Sequence, residues 1–486
     1  MEIFKTFTRH SECLSPCFKK LIETMKQFDD IDIELLRKYD RPGPRYTSYP
    51  PAPAFSHDFT ARDFEQTITD DNLLKPDGKL SLYFHLPFCD TLCYFCGCNM
   101  MVTHQRDKIS TYLNYIERDI LKIHKYMSPA RPVMQSHWGG GTPSYLDPHE
   151  ILRLGNFIRE HFTFGEGAEI SVEIDPRGLT FEHMQAFREV GINRVSMGVQ
   201  DFTPKVQQAI NRIQPEEITR AAIDWSRQLG IISANLDLIY GLPFQTVESF
   251  EKSLDTIIDI SPERLAIFNF AYVPWLKPHM RIIKTEDLPT PEQKLEILKM
   301  TIDKLTDAGY IYIGMDHFAK PTDELAIAQV EKTLYRNFQG YSTHADADMY
   351  SFGMSSISQI NDTYAQNVKS LKEYYDRVNA DEFPTERGYR MTEDDKIRRH
   401  VITRLMCDME LTKSEIERDC GVNFNDYFAE SLPKLDEFIA DGLIAETDDK
   451  YVITGMGRLL VRNIAMCFDA YSQKVQTNKP MYSRTV

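Results

Sequence analysis

From Ser81 to Asp316 the chain alternates short apolar, β-branched runs with longer stretches whose apolar residues recur three and four apart. The runs are SLYFHLP (81–87), VMQSHWGG (133–140), EISVEID (169–175), RVSMGVQ (194–200), ANLDLIY (234–240), RLAIFNF (264–270) and YIYIGMD (310–316). Stretches such as STYLNYIERDILKIHKYM and FEKSLDTIIDI carry the helical spacing between them. Strand–helix alternation without a repeat predicts parallel strands joined by right-handed crossovers. Six or seven such units make a complete or partial β/α barrel; an open doubly wound sheet is the other arrangement. Polar residues gather at the C-terminal ends of the runs: Cys89, Gly139 to Thr142, Glu173, Gln200, Asp237 and Asn269. In such folds that edge binds ligands.

The flanks read differently. Residues 1–24 lack a signal-peptide pattern, and Cys13 and Cys17 have no further ligand nearby. They are expected to form a disordered extension, with Met25 as a candidate start. A lead or lid over 25–79 follows, with a short helix at Ile31–Tyr39. Its stretch RPGPRYTSYPPAPAF has five prolines and must be extended. The barrel with an extension is expected over 80–389. A mostly helical, winged-helix-like domain is expected over 390–486, with a two-stranded wing around Asp448–Asp449. That segment is acidic, and the whole chain carries a net charge of −16, which argues against nucleic acid as a partner. No apolar run reaches the roughly 18 residues that span a bilayer. Nine cysteines, four of them between Cys89 and Cys98, do not resemble a secreted disulfide scaffold. The expected compartment is the reducing cytoplasm.

The sequence CDTLCYFCGC places Cys89, Cys93 and Cys96 at C-x3-C-x2-C spacing, with Cys98 two residues on. Thiolates at this density select zinc or iron–sulfur. Structural zinc would need a fourth ligand, and no second Cys or His pair stands at ligand spacing. Cys98 could complete a four-thiolate set, although its C-x-C geometry is awkward for one cage. Three cysteines holding a four-iron cubane would leave one iron open to chelate a ligand and pass it an electron. The other candidates have plainer readings when taken singly. The glycine run can be a tight turn, Glu173 a buried salt-bridge partner, Arg212 a helix-surface cation and His85 a satisfied core histidine.

With Phe95 before the last cysteine, the motif resembles that of the radical S-adenosylmethionine enzymes. Within them the chain is most similar to the oxygen-independent coproporphyrinogen III oxidases, from about Ile31 to the C-terminus. The likeness is carried by PGPRYTSYP, YFHLPFC, CYFCGCN, HWGGGTPSYL, SVEIDPR, RVSMGVQDF, NLDLIYGLP, GMDHFA, NFQGYST and MCFDAY. It implies an α/β fold, a partial (β/α)6 TIM-like barrel with an extended lead and a helical C-terminal domain. It implies a 4Fe–4S cluster on Cys89, Cys93 and Cys96 and two S-adenosylmethionine sites. Tyr83, Gly140, Glu173 and Ile357 match contacts to the first cofactor. Phe95, Gly141, Thr142, Gln200, Arg212, Asp237 and Ala271 match contacts to the second. Cys98 and His85 would be accessory.

The reaction implied is oxidative decarboxylation of two propionates of coproporphyrinogen III to vinyl groups by a 5′-deoxyadenosyl radical, giving protoporphyrinogen IX in haem biosynthesis. An electron-donor protein such as flavodoxin or ferredoxin, a monomeric state, and no nucleic-acid or membrane partner are expected. The alternative is a haem-trafficking relative of the same fold without oxidase activity. Arg45 and Arg336 are the cations nearest by motif for the propionates.

Overall fold

The computed structural model describes residues 31–472 and 484–485. The extension 1–24, with Cys13, Cys17 and Met25, lies outside them. The chain packs as two compact units: one holds residues 48–294 and 346–396, the other the residues up to Thr47, Leu295–Ala345 and Ile397 onward.

In the first unit six strands lie side by side in chain order, all parallel. They are β1 (Leu80–Leu86), β2 (Val133–Gly140), β3 (Phe164–Ile174), β4 (Arg194–Gln200), β5 (Ser233–Tyr240) and β6 (Arg264–Asn269). Sequential parallel order with a helix in each crossover is the winding of the expected (β/α)6 partial barrel. The helices follow from their sequences. Pro148–His161 starts at Asp147, whose side chain caps the Glu150 amide while Glu150 bonds back, and Pro148 fits the first turn. Its Ile151, Leu154 and Ile158 form a buried stripe at helical spacing.

Two-residue periodicity divides each strand. On β5, Leu236, Leu238 and Tyr240 are buried, while Asn235 and Asp237 are half-buried on the other face. Ser171 and Glu173 on β3, and Ser196 and Gly198 on β4, occupy the equivalent positions. Aligned register brings these polar positions to one face: Glu173 pairs with Ser196, and Gly198 with Asp237.

The far edge of β1 carries four strands that periodicity did not reveal. These are β7 (Asp348–Phe352), parallel to β1, then β8 (Ile357–Ile360), β9 (Thr363–Asn367) and β10 (Thr385–Arg390), all antiparallel. Close by, Arg131 and Asp71 have side chains with 0% exposure. Arg131 donates to Asp71, to Asp348 at 2.8 Å and to the Gly78 carbonyl at 2.9 Å. Tyr350 and Asn361 also donate to Asp71. Removing one member leaves uncompensated buried charge, so Arg131→Ala is expected to cost about 3 kcal/mol or more. Chemical denaturation measures this, and a midpoint shift below about 1 kcal/mol would show that water replaces the guanidinium.

In the second unit the helix Ile33–Tyr39 is capped by Asp32. The seventh expected strand is present as Ile311–Gly314, in an antiparallel hairpin with His317–Ala319. The expected wing is present as Ile444–Glu446 and Lys450–Ile453, with Glu410–Thr412 as a third strand. Three short helical pieces, Phe424–Tyr427, Leu432–Lys434 and Asp436–Ala440, lie before the wing. Pro433 has no amide to donate and opposes a continuous helix there. No helix among the described residues is long and apolar enough to cross a membrane.

Candidate active site

The polar face of β3–β5 and the loop after β1 line one cavity of about 810 Å³ in the first unit. Cys89, Cys93, Cys96 and Cys98 face it, together with Phe95, Gly141, Thr142, Glu173, Gln200, Arg212 and Asp237. All four cysteines are free thiols.

The cysteine loop is held from several sides. Asn211 donates to the Leu92 carbonyl at 2.8 Å, and the Tyr94 amide donates to Ile210 at 3.0 Å. Past β6, Lys277 donates to the Cys98 carbonyl at 2.7 Å and the His279 ring bonds the Cys96 carbonyl at 2.9 Å. Phe95 packs on an apolar cluster that includes Val206, Ile210 and Phe270. The Cys89 thiol lies 3.2 Å from the Thr142 hydroxyl, and burial pushes it up to about 12. Hydrogen bonding from Cys98 holds the Cys96 thiol below its ordinary range against the opposing effect of burial, with Lys277 and Arg212 assisting. Cys93 lies 3.4 Å from Arg177 and 3.7 Å from Arg212.

These arginines share Asp175. Arg177 donates to it at 2.7 Å and Arg212 at 3.0 Å. Burial opposes ionisation of Asp175, but Arg212 and Arg177 overcome it and hold the carboxyl below its ordinary range. Glu173 accepts from the Gly140 amide at 3.1 Å and contacts His137 at 3.3 Å. Burial opposes its ionisation too, and His137 with the Gly140 amide outweighs it. Asp237 is the contrast: burial raises it to about 6, although Asn235 and Ser196 donate to it. The site therefore offers two carboxylates held below their ordinary range and a third, Asp237, that burial pushes above it.

The chain matches the model of the radical SAM superfamily over residues 83–257, and that of the HemN C-terminal domain over 391–460. It is 48% identical to the oxygen-independent coproporphyrinogen III oxidase of Escherichia coli K12, covering 94% of this chain and 99% of that protein. The same enzyme of Synechocystis is 46% identical, covering 94% and 98%. The solved coproporphyrinogen III oxidase of Escherichia coli, HemN, superposes with a TM-score of 0.86 at 47% identity, covering 91% of this chain and 99% of that one. The chain belongs to the oxygen-independent coproporphyrinogen III oxidases.

As a radical SAM enzyme of that family it uses a 4Fe–4S cluster and S-adenosylmethionine, and the residues fit both groups. Cys89, Cys93 and Cys96 from one loop face a single cavity, with Cys98 beside them. Among the described residues no three His, Cys, Asp or Glu side chains converge tightly enough for one metal ion. Gln200 ends β4 with φ +70°, and its buried Oε1 has no hydrogen-bond partner among the described residues. An acceptor left open in a polar cavity suits a donor-bearing ligand.

Other expected residues lie outside the cavity lining. Tyr83 stacks on His137 at 5.9 Å and thus stands behind Glu173. His85 is buried, its Nε2 bonded to the Asn99 carbonyl at 2.9 Å and its Nδ1 facing the Tyr83 hydroxyl at 3.1 Å. Ala271 is exposed on the loop after β6, and Ile357 opens β8. The glycine run serves a tight approach within the chain. A Cβ on Gly141 would stand 2.5 Å from the Pro87 carbonyl carbon, and Gly140 has φ +112°. The amides of Gly140, Gly141 and Thr142 bond Glu173, Leu86 and Phe88. Asp175, Arg177, His137, Lys277 and His279 were not singled out from sequence. The only trace of the first two is the motif SVEIDPR.

Proposed function

We propose that this chain decarboxylates two propionate side chains of coproporphyrinogen III to vinyl groups, yielding protoporphyrinogen IX. The observation that supports this reading most is the single cavity that gathers Cys89, Cys93 and Cys96 with Glu173, Gln200, Arg212 and Asp237 from separate strand ends. The bound cluster and S-adenosylmethionine supply the one-electron chemistry that removes a hydrogen atom from the propionate β-carbon.

The chain's own residues bind, orient and exclude. Cys89, Cys93 and Cys96 would hold the cluster, leaving one iron for the cofactor. Glu173, held ionised, would accept from ribose hydroxyls, with Tyr83 and His137 fixing its direction. Gly140 and Ile357 complete the contacts read for this first cofactor. A second S-adenosylmethionine would lie against Phe95, Gly141, Thr142, Gln200, Arg212, Asp237 and Ala271. Arg212, its guanidinium oriented by Asp175, would offer it a cation. Cys98 and His85 act as supports of the loop rather than ligands. No residue need serve as general base, because carbon dioxide leaves once the hydrogen atom is removed and one electron passes to an external acceptor. The cavity walls keep water and other hydrogen donors away. A monomer in the cytoplasm, reduced by a flavodoxin- or ferredoxin-like protein, fits the reading.

The test is anaerobic reconstitution with iron and sulfide, followed by coproporphyrinogen III, dithionite and S-adenosylmethionine. Protoporphyrinogen IX and two carbon dioxide per substrate are expected. Haem binding without turnover by the fully loaded protein would replace this reading with trafficking.

A further inference from the structure

The second unit buries a group of arginines with little opposing charge. Arg336, Arg458 and Arg462 are 6%, 5% and 5% exposed, while the Arg45 side chain is 32% exposed at the accessible edge. Asp316 pairs with Arg45 and lies within electrostatic reach of Arg336 and Arg462. Arg462 is satisfied otherwise: it donates to the carbonyls of Gly43, Pro44 and Arg484, tying the lead to the end of the chain.

Arg336 and Arg458 differ from it. Arg336 donates one N–H to the Arg45 carbonyl at 3.2 Å and lies 4.6 Å over the Tyr341 ring. Its buried Nη1 has no hydrogen-bond partner among the described residues, and neither has Nε of Arg458. Tyr341 is within electrostatic reach of both guanidiniums. Burying one unmatched guanidinium donor is costly, and two around one ring is a pattern that an anionic ligand removes. A guanidinium presents a planar fork of donors that matches a carboxylate.

We propose that Arg336 and Arg458, with Arg45 at the edge, form a carboxylate-binding site. Resting on the function proposed above, the carboxylates are propionates of the tetrapyrrole; a free polycarboxylate offers the same chemistry. The probes are coproporphyrin III, its tetramethyl ester and citrate, each titrated into the reconstituted full chain. Coproporphyrin III is expected to bind and the ester to bind at least about tenfold more weakly. Arg336→Gln and Arg458→Gln should each weaken coproporphyrin III about tenfold or more and raise KM, leaving cluster content unchanged. Arg336→Lys and Arg45→Ala, checked by thermal melting, serve where a buried neutral substitution does not fold. Citrate binding that the same variants abolish, without coproporphyrin binding, keeps the site and assigns it to free carboxylates. Equal affinity for acid and ester, or folded variants that bind as the wild type does, overturns the proposal. Normal turnover with unaltered variants removes the site alone. Binding lost in the variants of a wild type that cannot decarboxylate removes only the function.

Discussion

Replacing any one of Cys89, Cys93 or Cys96 by alanine is expected to abolish the iron–sulfur cluster, and with it all turnover. The loop that carries them is pinned by Asn211, Ile210, Lys277 and His279, so another thiol cannot swing in from a distance. Cys407, fully buried in an apolar cluster with Ile311, Ile313 and Leu334, illustrates the point. Cys407→Ala should retain the complete set of about four irons and four acid-labile sulfides per chain. Cys98→Ala is the discriminating case. Its thiol bonds Cys96 and its carbonyl is held by Lys277, so it supports the loop rather than closing a four-thiolate cage. Cluster content should survive that change in anaerobically prepared protein. Loss of iron and sulfide in Cys98→Ala equal to that in Cys93→Ala would make Cys98 a ligand.

The parts of the site that were legible in the sequence are those whose signal is local. Cys89, Cys93 and Cys96 announce themselves by spacing within eight residues. Glu173 and Asp237 are polar groups near the ends of apolar runs, where two-residue periodicity puts them on the face opposite the buried residues, and Gln200 closes the run of β4. The links of Asp175 to Arg212 and of His137 to Glu173 are not legible in the sequence, because these partners lie 37 and 36 residues away. The strands β7–β10 escaped notice for a related reason. Residues of β7 and β9 are buried throughout, so no alternation marks them. Their polar groups are satisfied within the sheet region instead: Ser351 donates to the Ile357 carbonyl and Asn367 to that of Gly353. Buried polar strands cannot be told from loops by hydropathy.

Asp175→Ala is expected to destabilise the first unit by about 3–5 kcal/mol and to weaken S-adenosylmethionine binding about tenfold or more. One carboxylate, 12% exposed, serves two guanidiniums that are 20% and 8% exposed. Removing it leaves both cations buried beside Cys93 with only neutral partners, such as the Gly198 carbonyl for Arg212. The direction of Arg212 into the cavity is then no longer fixed, and misplacement of a binding group costs affinity. The pH dependence has a definite sign. Because the folded carboxyl is held below its ordinary range, its stabilisation is complete above the unfolded-chain value of about 4 and is lost as pH falls through the folded value. The wild type and Asp175→Ala should therefore differ fully at pH 7 and converge in acid. A double-mutant cycle with Arg177→Ala separates coupling from general damage. The pair is in direct contact, so the double variant should lose less than the sum of the single losses. Additive losses within about 0.5 kcal/mol, or a stability gap that persists undiminished in acid, would show that Asp175 acts through packing rather than charge.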